Sequence, residues 1–188
     1  MKYAVYILFM VLSQNVQSQT PNTEVIFFDI VDLASCNKNS EIGYLKKVHL
    51  GMFSYDLKNF ESHKSLTYRM FQRSTRFIDS IALTPKEKKY LLTELKASKD
   101  FEWNLTKKTT LKIADNSRWL TNRDSSKKHR NRRLKIVSKP IFIRNNTIAC
   151  VYSTDLCCGK INGHTSLSLY KRINNKWTEW IAICQGDF

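Results

Sequence analysis

Two Asn-Asn pairs, each set between alternating apolar runs, constrain this chain more than any other feature. Ile141-Phe142-Ile143 is followed by Asn145-Asn146 and then by Thr147 to Tyr152. Thr165 to Tyr170 alternates polar and apolar residues, and Asn174-Asn175 separates it from Trp177 to Cys184. Asparagine tolerates the left-handed backbone that a tight hairpin demands, and alternation puts every second side chain on one face. Both spacings therefore predict antiparallel hairpins. Leu134 to Val137 alternates as well, and Thr109 to Ile113 forms a weaker alternating run. The last half of the chain reads as a meander of four or five strands. The polar stretch from Ser153 to Gly163 reads as a loop between two of them.

The first half follows a different pattern. Residues 24–33 are strongly apolar and their period is ambiguous: Val25 to Phe28 is rich in β formers, while Ile26, Ile30 and Leu33 share a helix face, and the helix is the preferred reading. Residues 34–41 are rich in turn formers, and residues 42–53 fit a short strand. Over residues 62–82 Leu66, Met70, Phe77 and Ile81 recur at helical spacing, with Arg69, Arg73 and Arg76 opposite, which predicts a basic-faced helix. A second helix opens at Thr84-Pro85-Lys86-Glu87. Thr84 is a natural N-cap, Pro85 fits the first helical position, and Glu87 completes a capping box. Its apolar stripe is Leu91, Leu92 and Leu95, and it ends near Ser98. The expected fold is thus α+β, with N-terminal helices followed by a four- to five-stranded antiparallel meander. The length of 188 residues suits one domain. Only 5 glycines and 3 prolines leave little room for linkers or phosphate-cradling loops.

The N-terminus carries one charge at Lys2, an apolar run from Tyr3 to Leu12, and a polar stretch ending at Ser18. That order is the pattern of a secretory signal peptide cleaved before Gln19. The expectation is a signal over residues 1–18, a single α+β domain over 19–188, and a periplasmic or secreted location. The apolar run is too short to span a bilayer as a helix, and no other segment approaches the required length.

Export bears on the five cysteines: Cys36, Cys150, Cys157, Cys158 and Cys184. Oxidising surroundings favour pairing, and Cys150 with Cys184, both on predicted strands, are the candidate disulfide. Five is odd, so at least one thiol has another fate. Metal binding by Cys157, Cys158 and His164 with Cys150 or Cys184 is an alternative, although the paired spacing of structural zinc sites is missing. No metal ligand set or cofactor is assigned on this basis.

Charge is the other outlier. The chain holds 31 Lys and Arg against 16 Asp and Glu, a net +15, and the part beyond residue 18 carries +14. Nine of those charges fall between residues 101 and 140. The peak, Arg123 to Lys135, has seven Lys or Arg, one His and one Asp. Such a block is expected to be solvated surface; the alternative is an accessory protein that uses it to contact a polyanion, whether nucleic acid, anionic glycan or lipid headgroup. Arg123, Lys127, Lys128, Arg130, Arg132 and Arg133 are its candidate binding residues. No nucleic-acid fold signature accompanies them.

Catalytic motifs are missing. His49, His63, His129 and His164 show no zinc-hydrolase spacing, and there is no nucleophile elbow or Walker loop. No catalytic residue is assigned. The one patch rich in chemistry is Asp155 to His164, where a carboxylate, Cys157, Cys158 and an imidazole lie within ten residues. A thiol paired with an imidazole there is the basis of an alternative reading as a small hydrolase.

Several short motifs resemble an uncharacterised family of small exported bacterial proteins. They are Ser138-Lys139-Pro140-Ile141-Phe142, Cys157-Cys158-Gly159, Gly163-His164, Lys171 with Asn175-Lys176-Trp177, and Leu83 to Lys88. The resemblance implies an exported α+β protein and carries over no activity and no catalytic residue. The expected function is that of an exported, non-enzymatic binding protein.

Overall fold

The computed structural model describes residues 23–32, 41–49, 54–70, 79–98, 100–105, 111–114, 132–157 and 162–187. Helix α1 spans Thr23–Asp32, followed by strands β1 (Glu41–Leu45) and β2 (Lys47–His49). Helix α2 spans Ser54–Ser62, and short strands β3 (Thr67–Arg69) and β4 (Ser80–Ala82) come next. Helix α3 spans Pro85–Ala97 and leads to β5 (Asp100–Glu102) and β6 (Lys112–Ala114). Five strands complete the chain: β7 (Arg132–Val137), β8 (Ile141–Ile143), β9 (Ile148–Cys157), β10 (Asn162–Ile173) and β11 (Lys176–Asp187).

The α+β arrangement expected from the sequence is corrected by this order. The described residues are mostly β, and α3 follows four strands instead of preceding them all. The main sheet has seven strands in the order β11-β10-β9-β7-β1-β6, with β8 also paired to β9. It is mixed, because β1 runs parallel to both β6 and β7. A five-residue strand from the first half of the chain thus enters between two later ones. Nothing in the local alternation of Leu134 to Val137 specifies a parallel partner so distant in sequence.

A second correction concerns residues 62–82. Instead of a helix, the chain ends α2 at Ser62 and pairs β3 with β4, placing Tyr68 opposite Ile81. Both side chains are buried while their strand neighbours are exposed. Sparse apolar residues fit either period, and the β3–β4 pairing across the intervening residues decides between them. Phe77, Arg73 and Arg76 lie outside the described residues.

The third correction is the loop expected at 153–163. Strand β9 continues to Cys157 and β10 begins at Asn162, so Ser153, Thr154 and Asp155 pair with Ser166, Thr165 and His164. A run of hydroxyl side chains looks like a loop in sequence, yet here it is ladder.

Other expectations hold locally. Thr84 caps α3, its hydroxyl accepting from Glu87 N at 3.1 Å while Glu87 Oε2 accepts from Thr84 N at 2.7 Å. Asn174 and Asn175 adopt φ of 50° and 61°, the paired left-handed values of a two-residue hairpin turn. The two-residue turn expected at Asn145-Asn146 is instead four residues long, Arg144 to Thr147, because Ile143 pairs with Ile148; Arg144, Asn145 and Asn146 are left-handed in it.

The two faces of the sheet are covered differently. Cys150, Tyr152, Thr154 and Leu156 alternate with Val151, Ser153 and Asp155 along β9. The Cys150 face packs against α2 and the β3–β4 pair, where Phe60 and Tyr68 are buried. Helix α1 lies over the Val151 face. Ile26, Phe27, Ile30 and Val31 form its buried stripe, and the Phe27 ring meets Tyr44 edge-on at 5.3 Å. Asp29 Oδ2 accepts from Trp177 N at 2.8 Å and ties the helix to the start of β11. Strand β11 carries two register shifts against β10, which add Trp180 and Ile183 as extra residues and bend the sheet.

Candidate functional site

The face covered by α1 is apolar at one end and polar at the other. At the polar end, the side chains come from four strands in register. Lys135 on β7 lies opposite Asp155 on β9, and Asp155 lies opposite His164 on β10. Ser153 faces Ser166 across the same two strands. This follows from a period of two: Leu134 and Ile136 point to one core layer, so Arg133 and Lys135 point to the other.

Asp155 is the centre. Its Oδ2 accepts from Arg133 Nη2 at 2.5 Å and from Lys135 Nζ at 2.6 Å. Its Oδ1 is buried and has no hydrogen-bond partner among the described residues. The three side chains are 27%, 10% and 19% exposed for Arg133, Lys135 and Asp155, so the cluster is largely but not wholly removed from water. The Ser153 and Ser166 hydroxyls meet at 3.2 Å, and Ser168 Oγ donates to Glu179 Oε1 at 2.6 Å. Ser166 and Ser168 are buried.

Burial pushes the Lys135 ammonium down from its ordinary pKa. Contact with Asp155 opposes that, Arg133 adds to it by repulsion, and Glu179 offsets part of the repulsion. One carboxylate oxygen therefore serves two cations, one of them almost wholly removed from water. The arrangement can hold a polar or charged group. Both cations engage Oδ2 of Asp155, which leaves Oδ1 without a partner among the described residues.

The residues singled out from the sequence are distributed unevenly. Arg123, Lys127, Lys128 and Arg130 lie outside the described residues. Arg132 begins β7. Arg133, expected in a solvated loop, is half-buried and turned to Asp155. Asp155 and His164, the ends of the hydrolase patch, do come together as register partners. Cys157 pairs with Asn162 and with Arg133 at the end of the ladder, and Cys158 lies outside the described residues.

The disulfide expected between Cys150 and Cys184 is not formed; both are free thiols. They sit on β9 and β11 with β10 between them, opposite Leu169 and Leu167. Two strand spacings are about 10 Å, beyond the roughly 7 Å that a disulfide spans between Cα atoms. Burial pushes the Cys150 thiol up to about 12 and Cys184 up to about 11. Among the described residues no group of three His, Cys, Asp or Glu side chains is placed to hold a metal ion. No helix among them is long and apolar enough to cross a membrane.

Lys135, Ser153, Ser166 and Ser168 are the site residues that sequence reasoning missed. Their signal is a period of two in which one side stays polar while Leu134, Ile136, Leu167 and Leu169 hold the other. Compared with known proteins, the chain matches no family model, no curated protein and no solved structure.

Proposed function

We propose that this is an exported, non-enzymatic binding protein that holds a small polar ligand at the polar end of the α1-covered sheet face. Export rests on the charge, apolar run and polar stretch of residues 1–18. The observation that carries the binding reading is the Arg133–Asp155–Lys135 cluster, largely buried beside a row of serines on a sheet face whose other end is apolar core.

Such a cluster is a poor way to stabilise a fold. Desolvating three charges costs several kcal/mol, and replacing a buried ionic triad with apolar side chains is often neutral or stabilising by about 1–4 kcal/mol. A ligand that meets these groups gives the cluster a use that stability alone does not.

The test compares the wild type with the triple variant Arg133→Met, Lys135→Met, Asp155→Leu. Thermal unfolding is followed against a panel of small carboxylates, phosphates, amino acids and monosaccharides. The expected result is a folded triple variant, at least as stable as the wild type. One ligand class should stabilise the wild type alone. A panel that shifts neither protein, or shifts both equally, refutes the reading.

A further inference from the structure

The charge balance of the cluster points to the kind of ligand it takes. Lys135 carries three N–H donors on an ammonium whose side chain is 10% exposed. Among the described residues its one hydrogen bond goes to Asp155 Oδ2, the same oxygen that Arg133 Nη2 contacts at 2.5 Å. Asp155 Oδ2 is thus shared between Lys135 and a second cation. Glu179 is the other acid whose charge reaches Lys135, and its Oε1 is already engaged by Ser168. A cation this dry ordinarily has a full counter-charge, because burying it uncompensated is costly. The hydroxyls of Ser153 and Ser166 lie beside it on the same face and can donate to a ligand oxygen.

Resting on the binding reading above, we infer that the site takes an oxyanion, the carboxylate or phosphate group of a small molecule, with Lys135 as its principal contact and the Ser153–Ser166 pair at its rim. An oxyanion adds negative charge beside Lys135 and accepts its remaining N–H bonds. The net charge of +15 raises the local concentration of any anion and speeds its arrival. Asp155 then has a second role: it holds the ammonium in place and limits affinity by standing close to the incoming negative charge.

This assigns opposite signs to two neighbouring substitutions. The full chain is titrated with sodium phosphate, sodium succinate and glucose at constant ionic strength, with sodium chloride as the balancing salt. Binding is read as saturable thermal stabilisation. Phosphate or succinate should stabilise the wild type, and which of the two does so separates the phosphate from the carboxylate source. Lys135→Met should weaken that binding by about tenfold or more. Asp155→Asn should tighten it severalfold, because the repelling charge is gone while the side chain keeps its shape. Lys86→Ser, at an exposed position on α3, should leave it unchanged. If Lys135→Met does not fold, the sign of the Asp155→Asn effect decides; if neither folds, the triple variant decides, and anion binding that it retains in full overturns the inference. Weaker binding in Asp155→Asn overturns the inference, as does an equal loss in Lys86→Ser, which would mean diffuse charge attraction. Glucose binding that depends on Lys135, without anion binding, overturns the inference and leaves the binding site standing. No response to any of the three probes overturns it too, and the wider panel then decides the binding reading by itself.

Discussion

Glu87 joins three elements, and its removal tests how the helical layer is fastened to the sheet. Its Oε2 closes the capping box on Thr84 N at 2.7 Å. Its Oε1 accepts from Arg144 Nε at 2.8 Å, and Oε2 accepts from Arg144 Nη2 at 3.3 Å. Arg144 Nη2 also donates to Ala82 O at 2.7 Å, so the turn joining β8 and β9 is pinned to the end of β4 and the start of α3. Glu87→Ala removes one half of the capping box, about 1 kcal/mol. It also removes an ion pair whose partners are 40% and 19% exposed. Water screens Arg144, so the surface-pair figure applies, about 0.5–1 kcal/mol. The expected loss is about 2 kcal/mol at neutral pH, or about 4–8 °C in Tm for a chain of this size.

The pH dependence fixes the cause. The Arg144 guanidinium, more than the cap, holds the Glu87 carboxyl down to about 2 from 4.5. A carboxyl depressed on folding stabilises above its unfolded pKa, and the contribution fades as pH falls through the folded one. The gap between wild type and variant should be full above about pH 4.5 and shrink towards about pH 2. Urea denaturation of Glu87→Ala, Arg144→Ala and the double variant at pH 7, 4 and 2.5 measures it. The cycle should return a coupling of about 0.5–1 kcal/mol at neutral pH. A gap that stays constant down to the lowest pH, or a coupling near zero, refutes the reasoning.

Three further outcomes are expected. The N-terminal residue of the exported product should be Gln19, and recovery of intact Met1 from the cytoplasm would sink the export reading. Brief alkylation of the native protein at pH 8 should leave Cys150 unlabelled until urea is added, because a thiol pushed up to about 12 is almost never ionised there. A peptide joining Cys150 to Cys184 by a disulfide would contradict the register. Asn175→Gly should raise the urea midpoint, corresponding to about 0.5 kcal/mol: relief of left-handed strain at φ 61° outweighs the extra entropy of glycine in the unfolded chain. A lower midpoint would show that the Asn175 side chain contributes more than its backbone costs.

The features determined by sequence alone are those whose cause lies within a few residues. Thr84, Pro85 and Glu87 specify where α3 starts, because a cap is satisfied within one turn. Asn174-Asn175 sets a two-residue turn, because only left-handed backbone closes it. The apolar stripe of α1 and the alternation of β10 follow from periods of 3.6 and 2. Tertiary structure decided everything that depends on a distant partner. Tyr68 became a strand residue because Ile81 lies across from it. Strand β1 came to lie beside β6 and β7, which no local pattern announces. Ser153 read as a loop residue, and Ser166 and Ser168 as the polar side of a strand, until the ladder set all three on the face beneath α1. Arg133 counted as one more charge in a basic run until Asp155, 22 residues away, drew it inward. A side chain's chemistry is written in the sequence, but its neighbours and its access to water arise only when strands from both halves of the chain are laid side by side.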